Sequence, residues 1–113
     1  MPGTRKLGRV TQHRMSMLNG MVTDLLRDGK LKTTVTRAHE VAPLAEKVIT
    51  LAKQGDLASY RKALTMVKVE DVAKKLFDDA EHRFGDRDGG YTRITRVGIR
   101  RGDAAEVALL EIV

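Results

Sequence analysis

The stretch DRDGGYTRITRVGIRRG, Asp86 to Gly102, constrains the fold more than any other part of the chain. It carries five arginines, Arg87, Arg93, Arg96, Arg100 and Arg101, and no lysine. Its middle, Tyr91 to Ile99, is rich in β-branched residues and reads as a strand, although its alternation is imperfect. Arginine falls on both faces of that strand. Such a strand cannot bury both faces against the chain's own core, because an unpaired buried charge is costly.

The flanking sequence fixes the strand's partner. Gly85, Gly89 and Gly90 mark a loop before it. Gly102 and Asp103 mark a turn after it, and Glu106 to Val113 reads as a largely buried final strand. These two strands are expected to form an antiparallel hairpin. Upstream, Met15, Leu18, Val22, Leu25 and Leu26 share one face of a helix from Thr11 to Asp28, stopped by Gly29. Lys30 to Val35 alternates as a short strand. Thr36 can cap a second helix to Gln54, in which Pro43 predicts a kink or a later start. Asp56 can cap a third, with Leu57, Tyr60, Leu64 and Val67 inward. A fourth spans Glu70 to His82. The order is helix, strand, three helices, two strands. This predicts an α+β domain of four helices on a small, mainly antiparallel three-stranded sheet. With 113 residues the chain holds one core, over residues 11–113, behind a basic irregular arm, residues 1–10.

Charge is distributed in blocks. Residues 1–14 hold Arg5, Lys6, Arg9 and Arg14 and no acid. Residues 15–82 nearly balance, with eleven basic and ten acidic side chains. Residues 83–102 hold six arginines against Asp86 and Asp88, and Asp103, Glu106 and Glu111 follow. Nine of the twelve arginines lie in the two basic blocks, whereas eight of the nine lysines lie between them. A solvated face needs only charge. The planar guanidinium fork grips phosphate bidentately and stacks on bases, so this division points to nucleic acid.

Catalytic and cofactor signals are weak. His13, His39 and His82 have no metal-ligand spacing. Gly29-Lys30 lacks the following Ser or Thr of a phosphate loop, and Asp24 stands where its first glycine belongs. Asp86-x-Asp88-Gly89 lacks the later ligands of a calcium loop; the two acids are expected to hold neighbouring arginines in place. Ser16 and Ser59 have no nucleophile elbow. No catalytic residue, metal site, cofactor or small-molecule substrate is expected. No cysteine is present, which suits a reducing compartment, and no apolar run reaches the roughly 18–20 residues that span a bilayer. A cytoplasmic location is expected. His13 and Arg14 continue the basic arm onto the first helix. Tyr91 either stacks on a base or packs in the core.

The motifs RKLGR (Arg5–Arg9), HRMSML (His13–Leu18), TTVTRAHE (Thr33–Glu40), VITLAK (Val48–Lys53), KLF (Lys75–Phe77), DRDGGYTRI (Asp86–Ile94) and RRGDAAEVALLEIV (Arg100–Val113) occur in this order. Over essentially the whole chain this resembles the bacterial large-subunit ribosomal protein L-seventeen family. The resemblance implies an α+β protein on large-subunit ribosomal RNA, near the exit of the nascent-chain tunnel and beside other ribosomal proteins, with no catalytic role. It carries RNA contact onto Arg5, Lys6, Arg9, His13 and Arg14, and onto Arg87, Gly89, Gly90, Tyr91, Thr92 and Arg93. Arg96, Arg100 and Arg101 extend the set. Ser59 and Tyr60 stand where a more basic stretch is common, which leaves Arg61 as the basic match in the middle helices. Phosphates in a folded RNA would then supply the partners that a doubly charged strand requires. The alternative is a nucleic-acid-binding regulator outside the ribosome, and a module docking an acidic protein is a third reading.

Overall fold

Gly29, at φ 81, turns the chain directly from a long helix into the first strand, a left-handed conformation that glycine adopts without a Cβ penalty. The computed structural model describes residues 8–113, with side chains from residue 12 onward. Its elements are α1 (Gly8–Asp28), β1 (Lys30–Thr34), α2 (Val35–Gln54), α3 (Leu57–Leu64), α4 (Glu70–Phe84), β2 (Thr92–Ile99) and β3 (Glu106–Ile112). The three strands form one antiparallel sheet in the order β1-β3-β2, so the last strand is central and the arginine-bearing strand is an edge. This is the α+β arrangement expected.

Several boundaries differ from the sequence reading. α1 starts at Gly8, three residues before Thr11, and residues 1–7 of the predicted arm lie outside the described residues. The N-cap of α2 is Thr34 and not Thr36: the Thr34 hydroxyl accepts from the Arg37 N–H at 3.2 Å. The helix runs without a break through Pro43. Both Pro43 and His39, whose carbonyl loses its donor, are exposed, so water can satisfy that carbonyl. α4 continues two residues past His82 and thereby buries Phe84.

α2 is the central helix. Ala38, Val41, Ala45, Val48, Ile49 and Ala52 repeat at helical spacing and are buried. α1 closes on it through Leu18, Val22 and Leu25, and the sheet adds Ala108 and Leu110. Predicted inward residues Met15 and Leu57 are exposed, Leu57 at 62%. On α3 the buried positions are Ser59 and Ala63 instead. Ser59 can go inside because its hydroxyl bonds the side chains of Gln54 and Asp56. Thr23 is buried likewise. Its hydroxyl donates to the Asn19 carbonyl at 2.9 Å and accepts the Lys68 N–H at 3.1 Å, joining α1 to the α3–α4 connection.

Candidate nucleic-acid interface

The register assigns the first β2 side chains to faces. Thr92 and Ile94 lie opposite Ile112 and Leu110, on the helix side with Leu31 and Thr33 of β1. Arg93 and Thr95 lie opposite Glu111 and Leu109, on the open side with Lys30 and Lys32. A bulge between Arg96 and Gly98 then breaks the alternation. From Thr95 to Ile99 every residue is exposed, so this end of the strand lies clear of the core on either face. A strand with arginines on both faces is therefore tolerated because it is an edge whose far half is solvated.

Arginines of β2 and the turn find acids on or beside β3. Arg93 reaches Glu111 at 3.4 Å and Arg96 reaches Glu106 at 3.1 Å. Arg100 grips Asp103 with Nε at 3.1 Å and Nη2 at 2.5 Å. The hydrogen bond from Arg100, followed by that from the Ala105 N–H, holds the Asp103 carboxyl down at about 2. The same pairing raises the Arg100 guanidinium above its ordinary value. All these pairs are exposed, so water and salt screen them. They are exchanged for other partners at little cost. Asp86 and Asp88, expected to hold arginines, take part in no ion pair among the described residues. On the hairpin the acids that do so are Glu106 and Glu111 of the opposite strand and Asp103 of the turn.

The glycine loop is anchored from α2. Lys53 donates to the Arg87 carbonyl and, at 3.0 Å, to the Tyr91 hydroxyl. Tyr91 also donates to the Arg87 carbonyl, and the Arg87 guanidinium donates to the Gly90 carbonyl, both at 3.2 Å. About two helical turns earlier, Glu46 accepts the Thr92 hydroxyl at 2.6 Å. Gly90, at φ 64, lets the backbone curl back into these bonds. Arg87, Gly89 and Gly90 remain exposed on the outside of this anchored loop.

Tyr91 itself is 2% exposed, and its ring meets Phe84 edge-on at 5.4 Å. Of the two roles open to it, the structure selects the core, which removes it as a base-stacking platform. Thr92 is half-buried and committed to Glu46. Arg101 is exposed beside Arg100 in the turn. The fold thus gathers Arg87, Gly89, Gly90, Arg93, Arg96, Arg100 and Arg101 on one hairpin and its entry loop.

The other predicted contacts divide. Arg5 and Lys6 lie outside the described residues; Arg9 is within α1, with its side chain outside them. His13 is exposed on α1, but Arg14 is paired with Glu40 of α2. Arg61 is exposed on α3, an element that packs on α2 and α4 and not on the sheet. Sequence reasoning missed Lys53, Glu46 and the two lysines of β1. Lys53 had a signal, since it closes the VITLAK motif on a helix otherwise apolar there. Lys30 and Lys32 had only their period-2 spacing. Among the described residues no group of three or more His, Asp or Glu side chains is placed to hold a metal ion, and no helix is long and apolar enough to cross a membrane.

Fold and site together define a small basic α+β domain that displays arginine on a sheet-edge hairpin. The profile of the family described as Ribosomal protein L17 matches residues 17–113. The chain is 57% identical, over all 113 residues and the full length of both proteins, to the large ribosomal subunit protein bL17 of Clostridium tetani. It is 56% identical over 109 residues to that of Desulfitobacterium hafniense, covering 96% of this chain and 97% of the relative. Against that of Clostridium acetobutylicum it is 55% identical over 111 residues, 98% of this chain and 97% of the relative. The chain belongs to the ribosomal protein L17 family, a family of structural proteins and not of enzymes.

Proposed function

We propose that the chain is a structural constituent of the large ribosomal subunit in the cytoplasm, bound to ribosomal RNA near the exit of the nascent-chain tunnel and beside neighbouring ribosomal proteins. The observation that carries this reading is the full-length identity of 57% to a protein named as a large-subunit component. The hairpin supports an RNA-facing role. Its guanidiniums are exposed, and those of Arg93, Arg96 and Arg100 are held by surface ion pairs, so a phosphate can replace or join each of these carboxylates. The arm and His13 add a second contact region, and Arg61 a third. The fold places no aromatic face at the hairpin surface, so recognition rests on RNA shape and phosphate contact, with strongly salt-dependent affinity.

The first test is sedimentation. Stoichiometric migration of the chain with large subunits through a high-salt wash is expected, and recovery only in light fractions would overturn the assignment. Residue roles are then tested one at a time. Arg93→Ala should lower the slope of log affinity against log salt by about 1. Unchanged slopes across Arg87→Ala, Arg93→Ala and Arg101→Ala would remove the hairpin from the interface.

A further inference from the structure

We propose that a cleft on the open face of the sheet receives one unpaired nucleotide, its base on an aliphatic floor and its phosphates on flanking cations. This rests on the reading of the chain as an RNA-bound ribosomal protein and adds a base-binding subsite that shares only Arg100 with the arginine set above. The cleft has a volume of about 380 Å3 and is lined by Lys32, Thr33, Val97, Gly98, Ile99, Arg100 and Val107. The bulge makes it. It sets Gly98, at φ 150, opposite Val107, and a Cβ built on Gly98 would meet nothing within 4 Å. The open side of the sheet is thereby hollow over Val107. Val97 and Ile99 stand 50% and 71% exposed beside it, more apolar surface than a solvated turn requires.

The chemistry of the lining selects the occupant. Cations stand on two sides, Lys32 from β1 and Arg100 from the turn, and no acid lines the cleft. Two other clefts differ in this respect. One, of about 500 Å3 between α1 and α4, mixes Arg27, Lys75 and Arg83 with Asp28 and Asp71. The other, below Gly55, sets Lys74 against Asp56 and Asp78. Only an apolar floor with a purely cationic rim suits a group that is flat and apolar on its face and anionic at its ends. A nucleotide has that form. At the small end of the roughly 300–1,000 Å3 of ligand sites, the cleft admits one base and not a duplex. Single-stranded loops and bulges are where RNA presents such bases. Arg100 leaves only an exposed pair with Asp103 when it turns to phosphate. Continuity with the arginine hairpin favours RNA over an acidic, apolar protein segment, which would satisfy the same lining.

The test uses intact large subunits carrying the full chain with a diazirine-bearing aliphatic residue in place of Ile99. Co-sedimentation is checked first; a chain absent from subunits overturns the ribosomal reading together with this one. With the chain on the subunit, irradiation is expected to give a crosslink to one RNA nucleotide that is unpaired. A crosslink to protein, to a base-paired nucleotide, or to nothing overturns the inference and leaves the ribosomal assignment standing. Val107→Asp provides a check free of the photoprobe. The same nucleotide should lose its protection from single-strand-specific chemical modification while co-sedimentation persists, and unchanged protection counts against the cleft.

Discussion

Arg14 separates a structural arginine from an RNA-binding one. It lies on α1 in the basic run that sequence assigns to RNA, yet its guanidinium donates to Glu40 on α2. The Arg14 side chain is 26% exposed and that of Glu40 14%, and Glu40 Oε1 is buried without a second partner. Arg14→Met keeps the aliphatic stem and strands the carboxylate. Removing one partner of a fully buried pair costs about 3–5 kcal/mol. Leaving a partly buried polar group unsatisfied costs about 1–3 kcal/mol. Exposure of a quarter of the arginine favours the lower range, about 2 kcal/mol. Unfolding entropy near 2.1 cal/mol/K per residue gives about 0.24 kcal/mol/K for a chain of 113 residues, so Tm should fall by about 8 °C. The assay is calorimetry on the free protein, with the double variant Arg14→Met, Glu40→Leu alongside. An apolar pair of similar volume removes the stranded charge, so the double variant should recover most of the loss. The salt slope of RNA binding should not change. A Tm shift below about 2 °C, or a double variant no more stable than the single one, would refute the structural role; a slope reduced by about 1 would return Arg14 to the interface.

Lys53→Met should cost little stability, because its contacts are to a part-exposed loop, but should weaken RNA binding by freeing that loop; hydrogen exchange at Gly89 and Gly90 should rise, and unchanged exchange would show that Lys53 does not hold the loop. Tyr91→Phe removes a hydroxyl that takes part in two hydrogen bonds and should cost about 1 kcal/mol by urea denaturation, whereas a loss of RNA affinity with no loss of stability would argue for an exposed role. Asp103, depressed from 3.8 to about 2 by Arg100, contributes stability that is fully present above the ordinary carboxylate pKa and is lost as pH falls through about 2. Its carboxyl should titrate near 2 by NMR and move up toward 3.8 in Arg100→Gln, and a midpoint that ignores Arg100 would contradict the pairing.

Helix content was legible because Leu18, Val22 and Leu25, or Val41, Val48 and Ile49, repeat on one face, and a buried stripe survives any error in the caps. Cap positions were less legible. Thr33, Thr34 and Thr36 can all cap, and only the path of β1 selects Thr34. Leu57 looked inward because it fits the helical period, but α3 is a short helix at the edge of the bundle that buries only Ser59 and Ala63, leaving Leu57 in water.

By itself the sequence determined the element order, the α+β class, the aliphatic core and the concentration of arginine in two blocks, because periodicity, turn residues and charge are local properties. Tertiary structure decided where the charge acts. The six arginines of residues 83–102 look like a dominant basic patch along the chain, but with Asp86, Asp88, Asp103, Glu106 and Glu111 the segment 83–113 is only +1. Glu111 and Glu106 face the β2 residues Arg93 and Arg96 because an antiparallel hairpin folds the following strand back beside the first, and Asp103 meets Arg100 within the turn. The same pairing places β3 in the centre, which makes the arginine strand an edge and brings Lys30 and Lys32, sixty residues upstream, onto its open face. Neither the cancellation nor the new neighbours has a local signal, since both depend on strand order, which is set by the burial of Ala108 and Leu110 against α2 and the rest of the core.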